Sequence, residues 1–174
     1  RSVALGCAFL AVAVFDILHF LSYTGMPDLV SPNSPHKSIL FWLCGRLAAG
    51  AGLLAYVLLP DTSATRAPVS RHACMAILLM LGLLSYGLLT SPDVVPAMYV
   101  MGEGLTPLKL TLEWGVFGLY LAIAVLLYRR RARITHCDFE SLRLALLLMA
   151  AAELFFVVYV QVSSTANLLG HTYK

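Results

Sequence analysis

Charge is scarce in this sequence. Only 12% of its 174 residues are Asp, Glu, Lys or Arg, where a soluble domain carries about 25%. That scarcity excludes a surface wetted on all sides. The net charge is +3, and the basic residues fall in two short clusters and not along a stripe, so nothing points to nucleic acid. Cysteine is sparse as well. Cys7, Cys44, Cys74 and Cys137 include no Cys-x-x-Cys pair. No disulfide framework or zinc motif is visible, and the thiols read as small buried hydrophobes. The signatures of catalysis are missing too: no His-Glu-x-x-His, no Ser-His-Asp order and no glycine-rich phosphate loop. Gly102-Glu103-Gly104 is too short to count. The reading is of a chain that is not itself an enzyme.

What is abundant is apolar sequence. Hydrophobic residues make up 60% of the chain, against roughly 45–50% in a soluble domain. They are gathered into five blocks, 2–22, 38–59, 73–91, 107–128 and 140–163. Each approaches the roughly 20 apolar residues a spanning helix needs. The breaks are polar and rich in Pro and Gly, as in "YTGMPDLVSPNSPHK" at 23–37. Thr106 before Pro107 is a helix start, with a hydroxyl cap and proline in the first turn. Asp138 can cap the fifth block in the same way. The predicted fold class is all-α, a polytopic transmembrane helical bundle of five spans in one domain, 1–174. Arg66 and Arg71 in loop 60–72, and Arg129, Arg130, Arg131 and Arg133 in loop 129–138, place both loops in the cytoplasm. The loops 23–37 and 92–106 and the tail 164–174 then face outward. The chain opens on Arg1 and stops just after a fresh helix-start signal, and is read as a piece of a larger bundle.

Within these spans the ionisable residues share one level. With a rise of about 1.5 Å per residue, Asp16 lies about 9 Å below the outer end of its span, His19 about 5 Å, Arg46 about 12 Å, Glu113 about 9 Å and Glu153 about 15 Å. Lys109 sits in the first turn of its span, four residues before Glu113. Leaving aside the cytoplasmic ends, the inner half holds none. A charge at the bilayer centre costs at least ~2.5–3.5 kcal/mol, so intramembrane charges are functional candidates by default. Asp16 and His19 share a helix face, as do Lys109 and Glu113. The expected pairs are Asp16–Arg46 and Lys109–Glu113. The alternative is an ion-pair network that only fixes helix packing. Tyr23, Met26, His36, Met98, Met101, Glu103 and His171, in the outer loops and tail, are placed to join a polar pocket open outward. Loop 92–106 is placed to cover it as a lid.

Several strings, in order, resemble the third type of bacterial membrane-associated sensor domain: "FDILHFLSYTGM" (15–26), "FWLCGR" (41–46), "GEGLTPLKLTLEW" (102–114), "AELFFVVYV" (152–160) and "NLLGHTYK" (167–174). Trp114 stands where that family often carries tyrosine. The resemblance implies a sensory input module at the N-terminus of histidine kinases, diguanylate cyclases and related proteins. It implies a bacterial inner-membrane location and a homodimeric full-length protein. It maps polar positions onto Asp16, His19, Tyr23, Met26, Arg46, Lys109, Glu113, Glu153, Asn167, His171 and Lys174. Trp42 enters through the Trp-x-x-x-Arg string and Glu103 through the outer loop. A further helix is implied after the tail, with His171 and Lys174 at its start.

The functional expectation is therefore a membrane-embedded sensor. It binds a small ligand or ion in the outer half of the membrane and relays the signal to a cytoplasmic output domain. The first alternative is a haem or copper protein using His19, His171 and Met26. The second is a transporter or proton relay, against which the inner half offers no polar stepping stones.

Overall fold

The computed structural model describes residues 2–28, 30–59, 67–133 and 138–158. Five α-helices account for most of them: α1 (Ser2–Leu21), α2 (Pro35–Leu58), α3 (Ala67–Thr90), α4 (Pro107–Arg129) and α5 (Phe139–Val158). Four are long and apolar enough to cross a membrane, over Ala4–Leu21, Pro35–Leu58, His72–Thr90 and Pro107–Arg129. The expectation of five spans thus exceeds what length and composition support over the described residues. The fifth helix carries Glu140, Arg143 and Glu153 within its twenty residues.

Helix starts follow local chemistry. Thr106 accepts the amide hydrogen of Lys109, with Pro107 in the first turn, as the Thr-Pro pair predicts. Ser34 does the same for Lys37 before Pro35. The second helix therefore begins three residues earlier than expected and takes His36 and Lys37 with it. The third begins at Ala67 and not at 73, because Pro68 falls in the first turn, where a missing N–H is no loss. Asp138 caps the fifth helix, its carboxylate accepting from the amides of Glu140 and Ser141 and from the Ser141 hydroxyl. These hydrogen bonds hold its carboxyl below the usual carboxylate range, that of the Ser141 side chain first.

The chain divides into two compact units, 1–98 and 99–174. In the first, α1 packs along α2, and α3 lies against both. The second helix is the core of this unit, with 67% of its apolar window buried against 17% for α1 and for α3. Gly52 permits the close approach of α1, since a Cβ there would overlap that of Ala8. Phe15 and Phe41 meet across the same seam with ring centroids 6.4 Å apart. The outward faces of α1 and α3 carry Phe9, Ile17, Phe20, Met75, Leu79, Met80 and Leu83, all more than half exposed. Apolar surface on that scale belongs in lipid, and the chain is an integral membrane protein.

In the second unit, α4 packs on α5, burying Val116, Tyr120, Ile123 and Leu127 with Leu146, Ala150, Ala152 and Phe156. A two-residue hairpin, β1 (Tyr99–Val100) and β2 (Gly104–Leu105), precedes them with Tyr99 opposite Leu105. Its turn uses Gly102 and Gly104 at φ of 91° and 93°, a region that glycine enters without steric cost.

Candidate functional site

In the first unit, α1 offers Asp16 and His19 to α2. Arg46 Nη2 stands 3.6 Å from Asp16 Oδ1. The arginine side chain is 4% exposed and the aspartate 32%, so one charge is sealed and the other can be reached. One helical turn back, Trp42 places its ring 5.8 Å from the Arg46 guanidinium carbon, a cation–π contact that favours the buried charge. His19 is fixed to α2 as well. Its Nδ1 lies 2.8 Å from the Ser38 carbonyl, and the Ser38 hydroxyl donates to the His19 carbonyl at 3.1 Å. A carbonyl only accepts, so Nδ1 carries a hydrogen in this contact.

The loop between α1 and α2 is knitted by residues that the reading above did not single out. Lys37, fully buried, donates to the Ser31 carbonyl at 2.8 Å and to Asn33 Oδ1 at 3.2 Å. The Asn33 amide donates to the carbonyls of Leu21, Met26 and Pro27. Ser31 donates to the Leu89 carbonyl at the end of α3. Val30 is held at φ 67°, a left-handed conformation rare for a β-branched residue. The signal that would have found this cluster is Ser34-Pro35, which repeats the chemistry of Thr106-Pro107 and moves Lys37 from loop to helix. Met26 lies half-buried in this turn, and Tyr23 is exposed.

In the second unit, Lys109 Nζ stands 2.8 Å from Glu113 Oε1 and donates to the Phe156 carbonyl at 2.9 Å. Glu153 lies within electrostatic reach of the same ammonium. All three side chains are buried, both glutamates completely. The tight glycine turn of the hairpin leaves Glu103 exposed, apart from this buried cluster. Asn167, His171 and Lys174 lie outside the described residues.

The two expected ion pairs form, each within one unit. A cavity of about 590 Å³ also lies in the first unit, between α1, α2 and α3. Its walls are apolar, with Ala4, Ala8, Ala11, Ala48, Ala51 and Phe15 among them, so it is not the polar pocket the charges led us to expect. Among the described residues no three His, Cys, Asp or Glu side chains gather as metal ligands.

Comparison with known proteins identifies a family. The family model of the membrane-associated sensor domain MASE3 matches residues 1–174, the whole chain. Neither a curated protein nor a solved structure matches.

Proposed function

The chain belongs to the MASE3 membrane-associated sensor domains, and from that premise we propose that it is a ligand-reading input domain whose first contact is the Asp16–Arg46 pair. The observation that carries this reading is the asymmetry of the pair. Arg46 is sealed between helices, while Asp16 keeps a third of its side chain open. A ligand with its own anionic or cationic group competes for one partner and releases the other. Because the pair joins α1 to α2, its rearrangement changes how these helices pack. A ligand shifts such an equilibrium only by its different affinity for the two arrangements.

The reading assigns His19, Tyr23, Met26 and Trp42 to the surroundings of that contact. Lys109, Glu113 and Glu153 are a second set of responsive charges on α4 and α5. Asn167, His171 and Lys174 enter through the family pattern. The finer features of the proposal are a bacterial inner-membrane location and cytoplasmic connections between α2 and α3 and between α4 and α5. The signal passes to an output domain of histidine-kinase or diguanylate-cyclase type in a homodimeric full-length protein.

The test is mass spectrometry of the full-length protein purified in lipid nanodiscs, with output activity measured alongside. A co-purified small molecule is expected, lost in Asp16→Asn and in Arg46→Leu together with the response. A folded Arg46→Leu protein with unchanged ligand content and unchanged output ends the proposal. A Soret band or stoichiometric copper would replace it with the cofactor reading.

A further inference from the structure

His36 sits in the first turn of α2, half-buried, and reaches across to the segment that follows α3. Its Nε2 lies 3.1 Å from the Pro92 carbonyl. Its Nδ1 lies 3.1 Å from the Met98 amide nitrogen. The two contacts determine the protonation state of the ring. The Pro92 carbonyl can only accept, so Nε2 carries a hydrogen. The Met98 amide can only donate, so Nδ1 carries none. The ring is therefore neutral, and it bridges the two ends of a seven-residue segment.

We propose that His36 is a proton-operated latch on residues 92–98. Protonation places a hydrogen on Nδ1, facing the amide hydrogen of Met98. Two donors then oppose each other and the bond is lost, while the bond to Pro92 can persist. The segment is held at its near end by a 3-10 turn over Pro92–Val94, with the Val95 amide donating to the Pro92 carbonyl at 3.2 Å. At its far end Met98 is 2% exposed, so the Met98 bond and the burial of its side chain act together. Between the two ends the chain is open, with Val94 82% exposed. Losing the Met98 bond therefore loosens the segment from its far end toward the turn.

The α1–α2 loop contributes Asp28, within electrostatic reach of Lys37. On α2 the neighbour is Lys37, whose ammonium is directed to Ser31 and Asn33. The 3-10 turn contributes Asp93, exposed. The end of α3 contributes Tyr86, also exposed. The latch does not depend on the ligand reading, since it uses neither Asp16 nor Arg46. It gives the segment 92–98 a response to protons that rests on a single imidazole.

The experiment is amide hydrogen exchange of the peptide covering 92–98, in the whole protein in lipid nanodiscs, corrected for the intrinsic pH dependence of exchange. Wild-type protection is expected to fall about tenfold between about pH 8 and about pH 5, the equivalent of one hydrogen bond. His36→Gln is expected to show no such fall, and Asp93→Asn to keep it. A flat wild-type profile overturns the proposal, as does an equal fall in His36→Gln or loss of the response in Asp93→Asn. If His36→Gln does not fold, the wild-type and Asp93→Asn profiles still decide. Nitrogen NMR of ¹⁵N-histidine protein at high pH is an independent check: a protonated Nδ1 on His36 overturns it equally.

Discussion

Lys109 and Glu113 stand one turn apart on a single helix, both buried, with contact at 2.8 Å. Asp16 and Arg46 come from different helices, 3.6 Å apart, and only the arginine is sealed. The first pair is built by helical geometry before any packing occurs, and burial then makes it strong. The second exists only because α1 and α2 dock, and one partner keeps access to solvent. A pair that is local and sealed yields less readily to a competitor. A pair that is interhelical and half open suits a response, because a competitor can enter from the exposed side.

The largest effect should come from breaking the sealed pair. Lys109→Leu leaves Glu113 buried without its ammonium, and is expected to destabilise by about 3–5 kcal/mol. Unfolding in mixed micelles measures it, and the triple change Lys109→Met with Glu113→Leu and Glu153→Leu should recover more than half of the loss. Full tolerance of the single change would erase the contrast between the two pairs.

Arg46→Leu should cost less, about 2 kcal/mol, because Asp16 can still be solvated. Arg129→Leu, at an exposed helix end, should stay within about 0.5 kcal/mol in the same assay. Equal effects of the two arginine changes would mean that Arg46 has no special environment.

A third comparison concerns the helix seams. Gly52→Ala should destabilise the first unit by about 1–3 kcal/mol through overlap with Ala8. Gly118→Ala on α4, where nothing lies within 4 Å of an added Cβ, should be neutral or stabilising by up to about 1 kcal/mol. The same sign at both sites would show that the α1–α2 seam can move apart without loss.

The smallest effect lies at Asp138. Its carboxyl is held below the ordinary range by its hydrogen bonds to Ser141. The cap is therefore fully present above the unfolded-state value, about 3.9, and is lost as pH falls through the lower folded value. Exchange of the Glu140 and Ser141 amides should rise over that acid interval in the wild type and not in Asp138→Asn.

Much of the architecture could be read from residues alone. The starts at Thr106-Pro107 and Asp138 are local chemistry, and so is the pairing of Lys109 with Glu113. The start of α2 was legible in principle, since Ser34-Pro35 is the same kind of signal, but His36 and Lys37 read as loop because charge next to proline suggests solvent. Glu103 reads as a loop residue, but its loop position alone cannot say which way a turn faces. The role of Asn33, whose one side chain ties three carbonyls, had no signature, because its partners are backbone atoms brought near only by the reversal between two helices.

The sequence by itself determined that apolar helices of spanning length form, where most of them start, and where along each helix its charges lie. Helix periodicity, capping and hydropathy act over one to six turns, so neighbours along the chain suffice. The tertiary structure alone decided that Arg46 is sealed while Asp16 stays open, that His19 leans on Ser38, and that His36 holds Pro92 and Met98. Those outcomes depend on how closely two helices approach and at what register, which is set by packing between residues far apart in the chain.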